Sequence, residues 1–438
     1  MLQDNNSHGG VAGHTRPILM LLFCTLALYP ATGEIKTATK SAEDTCTTVK
    51  QARHLRDVAM GTIETAITAI ASNLAGSVKL RILAAAAVGS KSTALNLQAT
   101  ALSQGALDGI KTLQANFKKI TDGAAALNTI DATAIALDVI GGTTLQKIDP
   151  KAAADYSTPT NNGLTFTMKS EHSACMGEAG APKAEKQGEQ KGASDYDQIT
   201  IVTVATKPKT TEAGGALSIC SKSSAPGAAS GAACNGDGTN IGIVGGKIYE
   251  IMTKKVKRAG QDGDSKYTTD ALTATDYPSK AQYDQMLETV RQMLQGAREI
   301  SQNVKQESWT TSGDRKVDKT LVSKVLKGET GSADAPDTNP LVEELYKRLY
   351  GTDGTQLKKD LENNCKTFKP GKAAIGDGDK ALDSINDPEE LYKAETYYTL
   401  KNFIDDEEQK KKDQASSSCS IKTDKPEKTA KTADECKK

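Results

Sequence analysis

The stretch that decides the fold runs from Cys46 to Val88 and reads CTTVKQARHLRDVAMGTIETAITAIASNLAGSVKLRILAAAAV. Small and apolar residues recur in it at steps of three, four and seven, which places them on one stripe of a long helix. These residues are Val49, Ala52, Ala59, Ile63, Ala66, Ile70, Leu74, Val78 and Ile82. Gly89-Ser90 supplies the natural break. The stretch therefore predicts one long amphipathic helix that ends just before a glycine.

A second helical pattern follows over 90–140. Its apolar positions are Leu95, Leu102, Leu107, Ile110, Leu113, Phe117, Ile120, Leu127 and Ile135. A turn at Gly89 gives two arms of nearly equal length, on the order of 65 Å each at about 1.5 Å per residue, which can pair along their whole length. A break at Gly105 or Gly109 would leave unequal arms and an unpaired apolar stripe. We therefore predict that 46–88 and 90–140 form an antiparallel hairpin.

The composition suits a helical protein that does not bind nucleic acid. The 438 residues contain 55 Lys and Arg against 55 Asp and Glu, so no net field attracts a polyanion. Only 4% of the residues are aromatic. Much of the apolar content is alanine, which favours close-packed long helices over a ligand cavity lined by rings.

The N-terminus predicts an export signal. Arg16 precedes the apolar run Ile18 to Leu28, and Ala31-Thr32-Gly33 offers the small residues that signal peptidase needs. The run is too short to span a bilayer. We therefore predict that residues 1–33 are removed and that the mature chain begins at Glu34. The remaining cysteines are expected to pair in an oxidising compartment; they are Cys46, Cys175, Cys220, Cys234, Cys365, Cys419 and Cys436.

The composition changes over 149–246, where Gly, Ser, Thr, Pro and Lys become frequent. Short alternating segments within it, Gly163 to Met168, Gln198 to Ala205 and Ala216 to Cys220, predict strands. Three of the cysteines fall in this region, as expected where little apolar surface is buried and crosslinks restrict the unfolded chain. The region therefore predicts a loop-rich, disulfide-bonded α+β lobe.

Helical spacing resumes over 277–404. It covers Tyr283 to Ile300, shorter pieces at Val317 to Leu326 and Leu341 to Leu349, and a last helix that begins after Pro388. Residues 405–418 are predicted to be a charged linker. The predicted fold is mostly α: an elongated antiparallel two-helix hairpin with an α+β lobe and a smaller helical lobe.

The catalytic and metal-binding motifs that the sequence suggests are incomplete. His54 lies in a helix between arginines, where a packed or solvated histidine is the expected role, and His172 with one neighbouring cysteine makes a poor metal site. Asp377-Gly378-Asp379 lacks the later ligands of a calcium loop. Gly245-Gly246-Lys247 lacks the flanking residues of a phosphate loop. We therefore predict no catalytic residue, no cofactor and no metal, and we do not expect an enzyme.

Two further features have structural explanations. The basic run from Lys254 to Arg258 is predicted to be a solvated helix end, where positive charge complements the helix dipole, with an anion or partner site as the alternative. Trp309 is expected to anchor the core, with an interface role as the alternative.

The order of these features resembles the N-terminal domain of trypanosome variant surface glycoproteins. A signal peptide, Cys46 opening a long Ala/Thr-rich helix, a glycine turn about 44 residues later, a second helix and a lobe with three cysteines follow the pattern of the type called class A. The piece from Cys419 to Lys438 resembles the start of that family's small Cys-rich C-terminal domain. The resemblance covers essentially the whole chain, and its specificity lies in order and spacing.

The resemblance implies a homodimer on a cell surface, attached to the plasma membrane by a C-terminal glycolipid anchor. It also implies that the disulfide-bonded α+β lobe is the distal lobe and that the smaller helical lobe is membrane-proximal. It implies that Cys46 pairs with Cys220 and Cys175 with Cys234, one of three connectivities that four cysteines allow. The apolar tail that specifies such an anchor is not in the sequence given, so the anchor is expected from kinship only. Cys365 departs from the family set and is left to pair with Cys419, Cys436 or a cysteine beyond the given chain.

The function that the resemblance implies is a coat that shields the membrane and evades host antibodies by antigenic variation. The exposed antigenic loops are predicted at Asn161 to Gly163, Lys183 to Ser194, Pro208 to Gly215 and Ser221 to Gly238, the last including Gly236. The alternative is a receptor or resistance factor descended from a coat protein, which would bind one host serum protein through the same lobe.

Overall fold

A computed structural model describes residues 44–156, 163–168, 198–206, 217–222, 238–258, 265–310, 319–328, 332, 335–352 and 355–420. The chain forms two compact units. The first unit contains the chain up to Ile67 together with Thr112–Gln302, and the second contains Thr68–Lys111 together with the chain from Asn303 onward. The two long N-terminal helices contribute residues to both units.

These helices are α1, Thr45–Ala86, and α2, Gly89–Gly141. Gly89, which begins α2, has a φ of 63°, a left-handed conformation that favours glycine. The helices run antiparallel in both units. Arg53 Nε donates to Asp131 Oδ2 at 2.6 Å in the first unit, and Ser77 Oγ donates to the Ala99 carbonyl at 2.8 Å in the second. The predicted fold class, mostly α with two long packed N-terminal helices, is confirmed.

The first unit also holds the described strands. They form three antiparallel sheets of three strands with the orders β3-β1-β7, β2-β6-β5 and β4-β8-β9. The strands are β1 Thr144–Leu145, β2 Ile148–Ala152, β3 Phe166–Thr167, β4 Gln198–Thr206, β5 Ile219–Lys222, β6 Asn240–Ile243, β7 Gly246–Lys247, β8 Tyr249–Arg258 and β9 Tyr267–Thr268. A short 3₁₀ helix, Ala153–Tyr156, follows β2.

Helix α3, Lys280–Asn303, completes the first unit. It buries one full stripe of its surface, which comprises Tyr283, Leu287, Val290, Met293, Leu294, Gly296, Ala297 and Ile300. Helix α2 approaches α3 closely at Gly123, where an added Cβ would lie 2.2 Å from the Met293 Cβ. Only a residue without a side chain allows the two helices to be this close.

The structure corrects the prediction for the basic run Lys254 to Arg258. This run is the second half of strand β8, which pairs with β4 from Tyr249↔Thr206 to Lys257↔Gln198. Lys255 and Lys257 are exposed, whereas Val256 and Arg258 are buried, as the two-residue period of a strand requires. The predicted helix end is wrong because a nine-residue ladder with β4 overrides the local charge pattern.

The second unit is helical in its described part. The helices are α4 Lys319–Lys327, α5 Asn339–Tyr350, α6 Thr355–Asp360, α7 Lys372–Ile375 and α8 Pro388–Ser420, with a π-helical turn at Leu361–Cys365 and a 3₁₀ helix at Leu382–Ser384. They share a core with the adjoining parts of α1 and α2 that includes Leu80, Leu95, Leu102, Val342 and Leu391. Trp309 lies in this core with 9% of its surface exposed, so the predicted core anchor is confirmed.

Helix α8 begins at Pro388 with Glu389 and Glu390 in its first turn, as predicted. It then continues to Ser420, through the segment 405–418 that was predicted to be a linker. The prediction that the helix ends before Asp405 is wrong. Lysine, glutamate and glutamine are good helix formers, and side-chain pairs one turn apart, such as Lys401 with Asp405 at 2.5 Å, add to that preference.

By length and composition alone, α1 and α2 could each cross a membrane. A helix that packs in a protein core meets the same criterion. Fully buried side chains on both helices lie in protein cores here, including Leu80 and Leu102 in the second unit and Ile120 and Leu127 in the first. The structure therefore gives both helices a packing role.

Candidate functional site in the sheet lobe

The predicted antigenic residues belong to segments that join the strands of the first unit. Asn161, Lys183, Pro208 and Gly236 lie outside the described residues, so their exposure stays a prediction. Ser221 is described, and it lies in strand β5 opposite Ile241, half-buried. The segment predicted to start at Ser221 therefore begins with two residues of a strand.

Strands β5 and β6 fix both ends of that last segment. They pair antiparallel from Ile219↔Ile243 to Lys222↔Asn240. Strand β6 also pairs with β2, where Ala152 lies opposite Asn240. An antiparallel ladder holds its strands through main-chain hydrogen bonds, which do not depend on the side chains of the intervening segment. The ladder therefore defines where variable sequence can be inserted.

Strand β4 lies at one end of its sheet, so the main-chain groups on its outer side need other partners. Gln51, on α1, supplies two of them. Its Nε2 donates to the Gln198 carbonyl at 3.2 Å, and its Oε1 accepts from the Thr200 N–H at 2.9 Å. One buried side-chain amide thus bonds the edge of β4 as a neighbouring strand would.

Two tyrosines continue this edge toward the end of β4. The Tyr283 hydroxyl on α3 donates to the Val202 carbonyl at 2.6 Å. Burial is the main cause that raises the pKa of Tyr283 well above its ordinary value, so the hydroxyl stays a donor. The main chain of Tyr277 forms a bridge with Val204, with N–H to carbonyl distances of 2.9 and 3.0 Å. These contacts fasten the edge of the sheet to the helices of the first unit.

The other long strand of this sheet is packed tightly against α2. A Cβ added to Gly141, the last residue of α2, would lie 2.0 Å from the Ile251 Cγ1 on β8. Val202 and Val204 on β4 join Val49 and Leu137 in the same small core. The sheet therefore sits directly on the two helices, with β8 approaching α2 where the helix lacks a side chain.

Of the four cysteines in the predicted set, the structure describes Cys46 and Cys220. Cys46 lies in the first turn of α1, and Cys220 is buried in β5 opposite Gly242. Both are disulfide-bonded. Cys175 and Cys234 lie outside the described residues, so the pairing of Cys46 with Cys220 and of Cys175 with Cys234 stays a prediction.

The structure corrects the expectation that Cys365 pairs. Its thiol is free and 2% exposed in the core of the second unit. Burial raises the pKa of the thiol to about 11, Lys91 lowers it, and Asp360 raises it further. A thiol with this pKa is poorly nucleophilic, so the second unit buries it as a small apolar side chain.

A cavity of about 350 Å³ between β9 and α3 is lined by several charged side chains, which include Lys280, Asp284 and Glu288. Its charges bind one another: Lys280 donates to Thr269, and Thr269 donates to Asp284. The hydrogen bond from Arg291 is the main cause that lowers the pKa of Glu288. The cavity therefore holds a compensated network. Within the described ranges, no group of three His, Cys, Asp or Glu side chains could hold a metal ion.

Sequence reasoning missed Gln51 and Tyr283 as the residues that hold the lobe. One signal was available for Gln51. It lies between Val49 and Ala52, in the turn of α1 that carries the start of the apolar stripe, and a polar side chain there needs a buried partner. Tyr283 was assigned to an apolar helix stripe correctly, but a stripe does not identify the acceptor of a hydroxyl.

No protein-family model matches the chain, and no curated protein matches it. Solved structures do match. A variant surface glycoprotein, VSGsur, bound to suramin is 16% identical with a TM-score of 0.49, and the match covers 83% of this chain and 98% of that one. A point mutant of VSGsur soaked in suramin is 17% identical, with a TM-score of 0.47 and the same coverage.

The variant surface glycoprotein VSG13 is 14% identical with a TM-score of 0.46, and the match covers 83% of this chain and 99% of that one. These neighbours belong to the family that the order of cysteines, helices and lobe predicts. Over 83% of its length, this chain is similar in fold to solved trypanosome variant surface glycoproteins.

Proposed function

We propose that the protein is a non-catalytic surface-coat glycoprotein that shields the plasma membrane and evades host antibodies by antigenic variation. The observation that carries the proposal is how the lobe is held. The edge of β4 is bonded through main-chain atoms by Gln51 and Tyr283, and the ends of the β5–β6 segment are fixed by a main-chain ladder. Loop sequence can therefore change while the framework stays.

Antigenic variation requires this separation of framework and loops. The predicted variable segments are joined to strands whose partners are carbonyl and N–H groups, which every residue except proline provides. The order of features in the sequence supports the same role, because it resembles a family of coat proteins. The alternative, a coat-derived receptor for one serum protein, is not favoured.

A loop exchange tests the antigenic role. Replacing Pro208 to Gly215 with an unrelated segment of equal length should abolish the binding of antibodies that recognise this segment and change the melting temperature by only a few degrees. The matched control replaces Ile201 to Thr203 inside β4, which should unfold the lobe. Unchanged binding of every antibody raised against the native protein, after all four predicted segments are exchanged in turn, would refute the antigenic role.

We also propose a homodimer, as the resemblance implies. The support is apolar surface left on the long helices: Met60 and Phe117 in the first unit, and Leu74 and Leu107 in the second, are between 37% and 50% exposed. Large apolar side chains that stay exposed on a long helix are typical of a surface that is buried against another chain. A second copy of the chain is the occupant that we propose.

Sedimentation tests the homodimer. Phe117→Glu should shift the equilibrium toward monomer, because a carboxylate would be desolvated in the interface. Ala115→Glu is the matched control, since Ala115 is exposed and lies about 200° around the helix from Phe117. A wild-type chain that sediments as a monomer at micromolar concentration would contradict the proposal.

Attachment by a glycolipid is the last part of the proposal. Treatment of intact cells with a phospholipase C specific for phosphatidylinositol should release the protein into the medium, whereas a protein with a membrane-spanning helix should stay with the cells. Retention of the protein on treated cells would refute the anchor and leave the coat role to be judged by the loop exchange.

A further inference from the structure

The first unit has a second cavity, of about 420 Å³, that the proposed coat role does not use. It lies between the C-terminal part of α2, the bend at Tyr277-Pro278 and the beginning of α3. Leu137 and Met286 contribute apolar surface to it. The volume is in the range of sites that bind small molecules.

The residues that line this cavity are uncharged. Lysine, arginine, aspartate and glutamate make up 25% of the sequence, so a surface cavity with none of them is distinctive. An ionic ligand would find no opposite charge among the residues that line this cavity. The cavity therefore selects for neutral ligands.

Tyr277 is one of the residues that line this cavity. Tyr277 is 60% exposed, although two hydrogen bonds with Val204 fix its main chain. An exposed ring on a fixed main chain offers a flat apolar surface at low cost in conformational entropy. Such a ring suits a ligand that has one flat apolar face.

Polar side chains complete the cavity. Thr133 on α2 and Gln282 and Gln285 on α3 line it. The Gln282 Oε1 accepts from the Ser279 N–H at 2.9 Å, which orients its amide. Hydroxyl and amide groups both donate and accept hydrogen bonds, as the hydroxyl groups of a sugar do. The combination of ring, amides and hydroxyls is complementary to a pyranose.

We propose that this cavity binds a neutral saccharide, with Tyr277 against the apolar face of the sugar ring and Gln285 and Thr133 bonded to its hydroxyl groups. The sugar could be a free glycoside or the end of a glycan on a neighbouring glycoprotein, and both present the same chemistry. The proposal does not depend on the coat role, because it uses only the geometry of the cavity.

Titration calorimetry with the full chain tests the proposal. The probes are the methyl glycosides of glucose, galactose and mannose, with methyl glucuronide as a charged analogue of similar shape. We expect saturable binding of at least one neutral glycoside and binding of the glucuronide that is weaker by about tenfold or more. A glycoprotein with neutral glycan ends, offered before and after glycosidase treatment, identifies a glycan source if binding is lost on treatment.

Two variants and two matched controls assign the binding to this cavity. Tyr277→Ala and Gln285→Ala should each weaken binding of the glycoside by about tenfold. Tyr392→Ala removes a ring that is 68% exposed elsewhere, and Gln302→Ala removes an exposed amide on the same helix α3; both should leave the affinity within about twofold. Gln285 is exposed on a helix surface, so its variant should fold even if Tyr277→Ala does not.

Three results would overturn the proposal. The first is that no neutral glycoside binds the wild-type chain. The second is that a glycoside binds but the affinity is unchanged in Gln285→Ala and in Tyr277→Ala. The third is that Tyr277→Ala changes the oligomeric state without any glycoside binding, which would make the cavity part of an interface between copies of this chain.

Discussion

The side-chain amide of Gln51 on α1 forms two hydrogen bonds with the edge of strand β4, one of them with the main-chain N–H of Thr200 at 2.9 Å. Gln51 is 1% exposed and Thr200 is also 1% exposed, so neither group has water as an alternative partner. The relationship shows why the sheet and the helix hold one position relative to each other. A glutamine is long enough to reach the strand and carries both a donor and an acceptor.

Gln51→Ala should lower the free energy of unfolding by about 1–3 kcal/mol, because it removes two hydrogen bonds of the side-chain amide, one with the N–H of buried Thr200 and one with the carbonyl of half-buried Gln198. Urea denaturation measures the change. Gln302→Ala, at an exposed glutamine of α3, should change the free energy of unfolding by no more than about 0.5 kcal/mol. Equal effects of the two substitutions would mean that Gln51 contributes to stability only through its helix propensity and not through its hydrogen bonds with β4.

Tyr283→Phe should cost about 1 kcal/mol, because the Val202 carbonyl loses its partner while the ring stays in the core. It should also change the dependence of stability on pH. Burial raises the pKa of Tyr283, so above pH about 10 the unfolded tyrosine loses its proton and the native one keeps it. Stability of the wild-type first unit therefore falls as the pH rises through that value.

Tyr283→Phe should lack the part of this loss of stability at alkaline pH that is due to Tyr283. Denaturation midpoints at a series of pH values from neutral to alkaline measure it. Tyr392→Phe is the control, since Tyr392 is 68% exposed. A difference between wild type and Tyr283→Phe that stays constant across this pH series would contradict the raised pKa.

Two helix glycines should respond to alanine with opposite signs. Gly123→Ala should destabilise the protein by about 1–3 kcal/mol, because the new Cβ would lie 2.2 Å from the Met293 Cβ and α2 and α3 must move apart. Gly61→Ala should stabilise it by about 0.5–1 kcal/mol, because nothing lies within 4 Å of the added Cβ and alanine favours the helix. Thermal denaturation of both variants checks the signs, and stabilisation by Gly123→Ala would show that the helix contact can relax.

The Cys365 thiol should resist alkylation in the native protein. With a pKa of about 11, roughly a thousandth of it is thiolate at pH 8, and the residue is only 2% exposed. Peptide mapping after treatment with iodoacetamide should find Cys365 unmodified in the folded chain and fully modified in urea. Rapid modification of the folded chain would mean that the core around this thiol opens readily or that the thiol is not buried.

The elements with a strong period were predictable. The apolar stripe from Val49 to Ile82 and the glycine at 89 were sufficient to predict α1, α2 and the turn between them. A helix of this length contains many turns, and the apolar residues of each turn indicate the same buried face. The strand β4 was also predicted, since Gln198 to Ala205 alternates and is β-branched. Trp309 was assigned to the core because a large apolar ring is seldom left in water.

Two of the predictions that failed share one cause. Lys254 to Arg258 and the segment 405–418 were interpreted from charge alone, and charge is compatible with a strand, a helix or a linker. Pairing with β4 made the first a strand, and side-chain pairs one turn apart keep the second helical. Cys365 was expected to pair because exported cysteines usually do, but only packing shows that this thiol is enclosed without a partner.

By itself the sequence determined the class of the fold, the two long helices and the turn at Gly89, because these follow from the repetition of apolar residues along the chain. Only the tertiary structure decided that Gln51 and Tyr283 cover the edge of β4, that Tyr277 lines an uncharged cavity and that the Cys365 thiol is free. These contacts join residues up to 149 positions apart, and no local periodicity specifies which distant donor meets which acceptor.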